Sequence, residues 1–115
     1  MSWYVLVEAN KSWSGDNTWE LVDRIPVEGG PDAALARAEE MSRTYVRGVE
    51  PERFGRLVFR LSPTSWLVEQ TESVWYEGST SPSILSQHMR ISVAELVMAR
   101  EPVPAAPPKK GWLRK

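Results

Sequence analysis

The 115 residues contain no cysteine, which removes disulfides, thiol nucleophiles, iron–sulfur clusters and cysteine-ligated zinc from consideration. His88 is the only histidine, so one chain cannot build a multi-histidine metal centre. No run approaches the ~20 apolar residues of a membrane span. The first apolar stretch, Trp3 to Val7, is broken by Glu8 and has no basic residue ahead of it, unlike a signal peptide. Lysine is scarce as well: Lys11 is the only one before Lys109, and arginine takes its place. That bias fits a GC-rich genome and carries no functional signal. Phosphate-loop, dinucleotide, nucleophile-elbow and metal-helix motifs are all missing. These absences point to a reducing compartment and to a cytoplasmic location, with no cofactor and no metal expected.

What is present suits one domain. At 42% hydrophobic and 25% charged, the composition is that of a globular chain able to bury about two thirds of its unfolded surface. The net charge of −1 hides two opposed parts. Lys109, Lys110, Arg114 and Lys115 crowd the last seven residues, leaving ten basic against fifteen acidic side chains over residues 1–108. An acidic body does not suit a whole-domain nucleic-acid binder, whose affinity rests on neutralising phosphates.

Periodicity supplies the elements. Residues 3–8 are aromatic and β-branched and apolar on both alternating faces, which predicts a strand covered on both sides. A polar loop follows, and then a second strand at about 18–26, completing a hairpin with Trp13 at its tip. Gly29-Gly30-Pro31-Asp32 marks a helix start, with proline in the first turn and a carboxylate on the positive dipole end. The helix predicted over about 31–47 places Ala34, Leu35, Ala38, Met41 and Tyr45 on one stripe, pairs Glu39 with Arg43, and stops at Gly48 before Pro51. Leu57, Phe59 and Leu61 alternate with Arg56, Val58 and Arg60, which predicts a strand with one face buried. The turn Ser62-Pro63-Thr64-Ser65 leads into a further strand from Trp66. A fifth strand at about 84–91 sets Leu85, Met89 and Ile91 against Ser86, His88 and Arg90. Ser92 and Glu95 have capping-box spacing and predict a short helix to about Arg100.

The expected architecture is therefore α+β, a single domain in the order β-β-α-β-β-β-α. An antiparallel sheet of about five strands carries the long helix on one face, and the short helix lies at the C-terminal end. Residues 1–101 form this domain, 102–108 a proline-rich extended linker, and 109–115 a basic, tryptophan-containing tail read as disordered. Two helices do not cover both faces of such a sheet, which predicts a homodimer.

Six tryptophans are the most unusual feature. Trp3, Trp19 and Trp66 fall within strands and are expected in the core. Trp13 and Trp112 sit amid loop and tail residues and are candidate contact points. Trp75 and Tyr76, beside Gly78, are candidates to line a pocket, and His88 is the least implausible polar partner for them. In the tail, Lys109, Lys110, Trp112, Arg114 and Lys115 are candidate contacts to nucleic-acid phosphate or an anionic surface. No catalytic residue stands out, since neither Glu39 with Glu40 nor Glu69 with Glu72 has the geometry of an acid–base pair.

The segments Arg24 to Gly30, Gly55 to Arg60 and Arg90 to Leu96 resemble a family of small uncharacterised actinobacterial proteins. The resemblance covers most of residues 1–98, excludes the tail, and implies a single domain without implying an activity. The expected function is a non-enzymatic protein-interaction module with an unidentified protein partner. Alternatives are a small-ligand binder or enzyme with a pocket between helix and sheet, and a nucleic-acid accessory protein acting through its tail.

Overall fold

The structure, a computed structural model, describes residues 2–10, 18–46 and 53–108. β1 (Ser2–Asn10) and β2 (Trp19–Val27) pair antiparallel, as their aromatic and β-branched composition predicts. Val5, Val7 and Ala9 point to one face and are buried. Tyr4, Leu6 and Glu8 alternate onto the other and stay half-buried. The pairing shifts register between Val7 and Glu8, a bulge that breaks the regular ladder with β2.

α1 (Gly30–Thr44) starts where the glycine–proline sequence predicts. Its N-cap, Gly29, is left-handed with φ 107°. A Cβ there would also come within 2.9 Å of the Ala33 Cβ, so both backbone and packing require glycine. The helix buries Ala34, Ala38, Met41 and Ser42 against the sheet, and the two alanines let it approach closely. The predicted Glu39–Arg43 pair forms at 3.4 Å and a further one, Arg37–Glu40, at 2.6 Å, both on the exposed side. The helix ends at Thr44, earlier than expected: Tyr45 turns extended while its N–H still reaches the Met41 carbonyl at 2.8 Å. The Gly48 stop predicted from the sequence lies outside the described residues.

β3 (Phe54–Ser62) and β4 (Ser65–Val74) form the second predicted hairpin. Its turn is held by the Thr64 N–H donating to Ser62 Oγ at 3.1 Å. β5 (Ser83–Leu96) then corrects the expected C-terminal helix. Ser92 to Leu96 continue the strand, pairing with Leu6 to Ser2 of β1. The capping-box spacing is local, whereas Val93 lies opposite Val5 in the core-facing row, and a helical turn there would strip β1 of half its ladder. Residues 97–108 have neither helix nor strand and are exposed.

The five strands form one antiparallel sheet in the order β2-β1-β5-β4-β3. α1 lies mainly across β1 and β5. The core between them joins Val5, Val7 and Ala9 with Met89, Ile91, Trp66 and Val68 under Ala38 and Met41. Of the three tryptophans expected inside, only Trp66 is fully in this core; Trp3 and Trp19 are half-buried. Gln70 continues the covered face of β4 at 3% exposure, and its side-chain carbonyl has no hydrogen-bond partner among the described residues. An orphaned buried carbonyl costs about 1–3 kcal/mol. Gln70→Met, which keeps the volume and removes the orphan, is expected to stabilise the protein by about 1 kcal/mol in urea unfolding. A loss of stability would show instead that the amide is satisfied.

Candidate functional site

The sheet face opposite α1 is uncovered by any described element, and strand alternation decides what it presents. Its middle carries charge. Glu8 and Arg90 are cross-strand partners, with Arg90 Nε 3.5 Å from Glu8 Oε1. Glu69 and His88 are likewise partners, with His88 Nε2 3.2 Å from Glu69 Oε2. The Arg90 guanidinium also lies 4.0 Å from the centroid of the Trp19 ring, a cation–π contact that keeps this tryptophan on the open face. All five side chains are half-buried, so each contact adds at most about 1 kcal/mol. Their collective effect is to make the middle of the sheet compatible with water. The homodimer expected from two-sided strands presumed an apolar second face, and these pairs remove that requirement.

The β3 side of the same face is apolar. The sequence pattern assigns Leu57, Phe59 and Leu61 to a buried face, and the structure reverses this. Leu57 and Phe59 stand on the open side at 51% and 50% exposure, Leu61 lies in the register shift before the turn at 54%, and Arg56, Val58 and Arg60 take the helix side. A bulge explains the reversal: Ser62 pairs with Ser65, and the extra residue between Arg60 and Ser62 sets Arg60, not Leu61, opposite Trp66 and so Val58 opposite Val68, both of which enter the core. Phe59 neighbours Leu67 on the open face, extending the patch inward.

The two arginines on the helix side are held by carbonyl oxygens. Arg56 Nη1 donates to the Ser42 carbonyl at 2.8 Å and Nη2 donates to the Tyr45 carbonyl, closing the C-terminal end of α1 from outside. Burial lowers the pKa of this guanidinium below the ordinary arginine value. Arg60 donates to the Ser62 and Pro63 carbonyls at 3.2 and 2.8 Å and lies 5.4 Å from the Trp66 ring centroid. Neither arginine meets a carboxylate among the described residues.

The remaining candidates do not form one site. His88 sits on the open face and so cannot line a pocket between helix and sheet. Trp75 and Tyr76 lie past the end of β4 at 61% and 48% exposure. His88 pairs with Glu69 whereas Ser83 pairs with Val74; five residues of strand, roughly 17 Å, separate the two groups. Among the described residues no hydroxyl is hydrogen-bonded to His88, whose imidazole is oriented by the Glu69 carboxylate. Trp13 and the tail residues Lys109, Lys110, Trp112, Arg114 and Lys115 lie outside the described residues. A separate cavity of about 410 Å³ opens where β1, β2 and β5 meet residues 97–101, with Tyr4, Leu6, Ala94 and Leu96 as apolar walls and Arg24 and Glu101 at its rim. Among the described residues no three His, Asp or Glu side chains converge as a metal site would require, and no helix is long and apolar enough to cross a membrane. No protein-family model, curated protein or solved structure matches this chain.

Proposed function

We propose that the chain is a non-enzymatic protein-interaction module that binds along the β3 side of its sheet. The observation that carries this reading is the contrast between the two sheet edges. β2, at one edge, has devices that discourage pairing: Pro26 lacks an N–H, the bulge opposite Val7 and Glu8 distorts its ladder, and Glu20, Asp23 and Arg24 add charge. β3, at the other, has no proline. It runs in regular register from Phe54 to Arg60, with its one shift falling near the turn. It also exposes Leu57, Val58, Phe59 and Leu61 in succession with Arg60 between them. Such an edge is a template for a partner strand, and the Leu57–Phe59–Leu67 patch beside it supplies apolar contact.

The test is site-specific photo-crosslinking in the native host, with the crosslinker at position 61 and, as control, at position 21 on the β2 side. Both positions are exposed leucines of similar accessibility. A discrete protein adduct at 61 and none at 21 is expected. Equal adducts, or none at 61, would overturn the reading. The cavity lined by Tyr4, Leu6, Arg24, Glu95 and Glu101 favours a second reading, a binder of small amphipathic molecules that Arg24 anchors. Arg24→Ala should then abolish any ligand-induced rise in melting temperature.

A further inference from the structure

We infer that the partner presents an extended segment with apolar side chains on one face and carboxylates on the other, and that this segment adds to the β3 edge as a sixth strand. The inference rests on the interaction-module reading and gives its partner a chemistry.

It starts from charge. Residues 1–108 are acidic overall, yet residues 53–68 contain Arg53, Arg56 and Arg60 and no carboxylate. The structure collects Arg56 and Arg60 on the helix side of β3 and Leu57 and Phe59 on the open side, with Leu61 exposed at the bulge that follows. A strand laid beside β3 shares these faces, because side chains alternate in step across a ladder. Its residues on the open side would meet Leu57 and Phe59, and those on the helix side would meet two guanidiniums whose hydrogen bonds among the described residues go to carbonyl oxygens. Carboxylates there would gain charge-assisted hydrogen bonds that no described residue supplies.

The same charge argues against a second copy as occupant. A two-fold axis normal to the sheet keeps each face on its own side, so Arg56 and Arg60 of both copies would line one face of the joint. Centring the axis on Val58 would set Arg60 directly opposite the partner's Arg56, and neighbouring registers leave the like charges on the diagonal. The edge therefore discriminates by repulsion between its own kind and an acidic strand.

The probe is a fluorescein-labelled, N-acetylated peptide of four Val-Glu repeats, titrated with the full chain by fluorescence anisotropy. Controls replace every glutamate by lysine or place proline at the centre. Saturable binding of the Val-Glu peptide is expected, weakened at least about tenfold in either control, with new hydrogen-exchange protection confined to β3. Arg60→Glu, on an exposed side chain, should invert the preference between the glutamate and lysine peptides. Equal binding of both peptides, protection on β2, or no saturation by about 1 mM peptide would overturn the inference. So would a dimer in sedimentation that Leu61→Lys dissociates, since it would make a second copy the occupant. A crosslinked partner at position 61 without peptide binding sinks this inference alone; the absence of both sinks the module reading as well.

Discussion

Trp66→Ala is expected to cost about 3–5 kcal/mol, the range for truncating a buried aromatic to alanine. Trp66 is 4% exposed. It stands on β4 opposite Ile91 on one side and Arg60 on the other. It is the largest side chain in a core otherwise made of valine, alanine, methionine and isoleucine, so no neighbour is bulky enough to collapse into the space it leaves. Total stabilities of small domains are about 5–15 kcal/mol, and the variant should therefore lie near the folding limit. At about 4–8 °C per kcal/mol for a domain somewhat smaller than this one, the melting temperature should fall by some tens of degrees. Urea unfolding followed by far-ultraviolet circular dichroism avoids interference from the other tryptophans. Trp66→Phe should recover more than half the loss, and a loss below about 1 kcal/mol in the alanine variant would show that the ring does not fill the core.

Arg56→Met is expected to cost about 2–3 kcal/mol, the largest effect of any partly exposed residue. Methionine retains much of the apolar stem, so the loss isolates the guanidinium. Two hydrogen bonds from that cation reach the Ser42 and Tyr45 carbonyls at the negative end of α1, and bonds from a charged donor contribute about 1.5–3 kcal/mol each before solvent exposure is discounted. Arg56→Lys should recover less than half, since an ammonium cannot span two carbonyls as the planar fork does. Burial lowers this pKa, and a base so shifted gains stability with rising pH only between its folded and unfolded values. That window lies far above neutrality, so the difference between wild type and variant should be the same across about pH 5 to 9. Amide exchange at Thr44 and Tyr45 gives a local readout. Unchanged protection there, even with a global loss, would place the effect elsewhere.

Both predictions depend on features that local sequence conveys unequally. The helix start was legible because Gly29, Pro31 and Asp32 act within one turn, and the first two strands because their alternation is strong. The helix end was less so, since the group that closes it arrives from Arg56, outside the helix altogether. The capping-box spacing of Ser92 and Glu95 describes a helix that would form in isolation. The strand prevails because Leu6, Val5 and Tyr4 supply a ladder from the other end of the chain. The candidate site was hidden by a symmetry of pattern. Leu57, Phe59 and Leu61 alternate as a buried face does, and only the bulge between Arg60 and Ser62, with Trp66 and Val68 taken by the core, turns Leu57 and Phe59 outward. A strand holding arginine at both flanking positions of its supposedly outer face was the available signal, because long guanidinium side chains can reach around an edge to a neighbouring helix terminus.

The placement of β5 has a consequence for biogenesis. It follows the other four strands in sequence and is the central strand of the sheet, and it alone joins β1 to β4. The two hairpins made earlier, β1–β2 and β3–β4, have no ladder to each other without it. During synthesis they emerge from the ribosome as separate marginal pieces, each with apolar side chains that only the final strand brings together. The sheet as a whole can therefore form only once β5 has been made, with long loops to close before β5 can insert. Over that interval the exposed β3 edge is available to pair with other nascent strands.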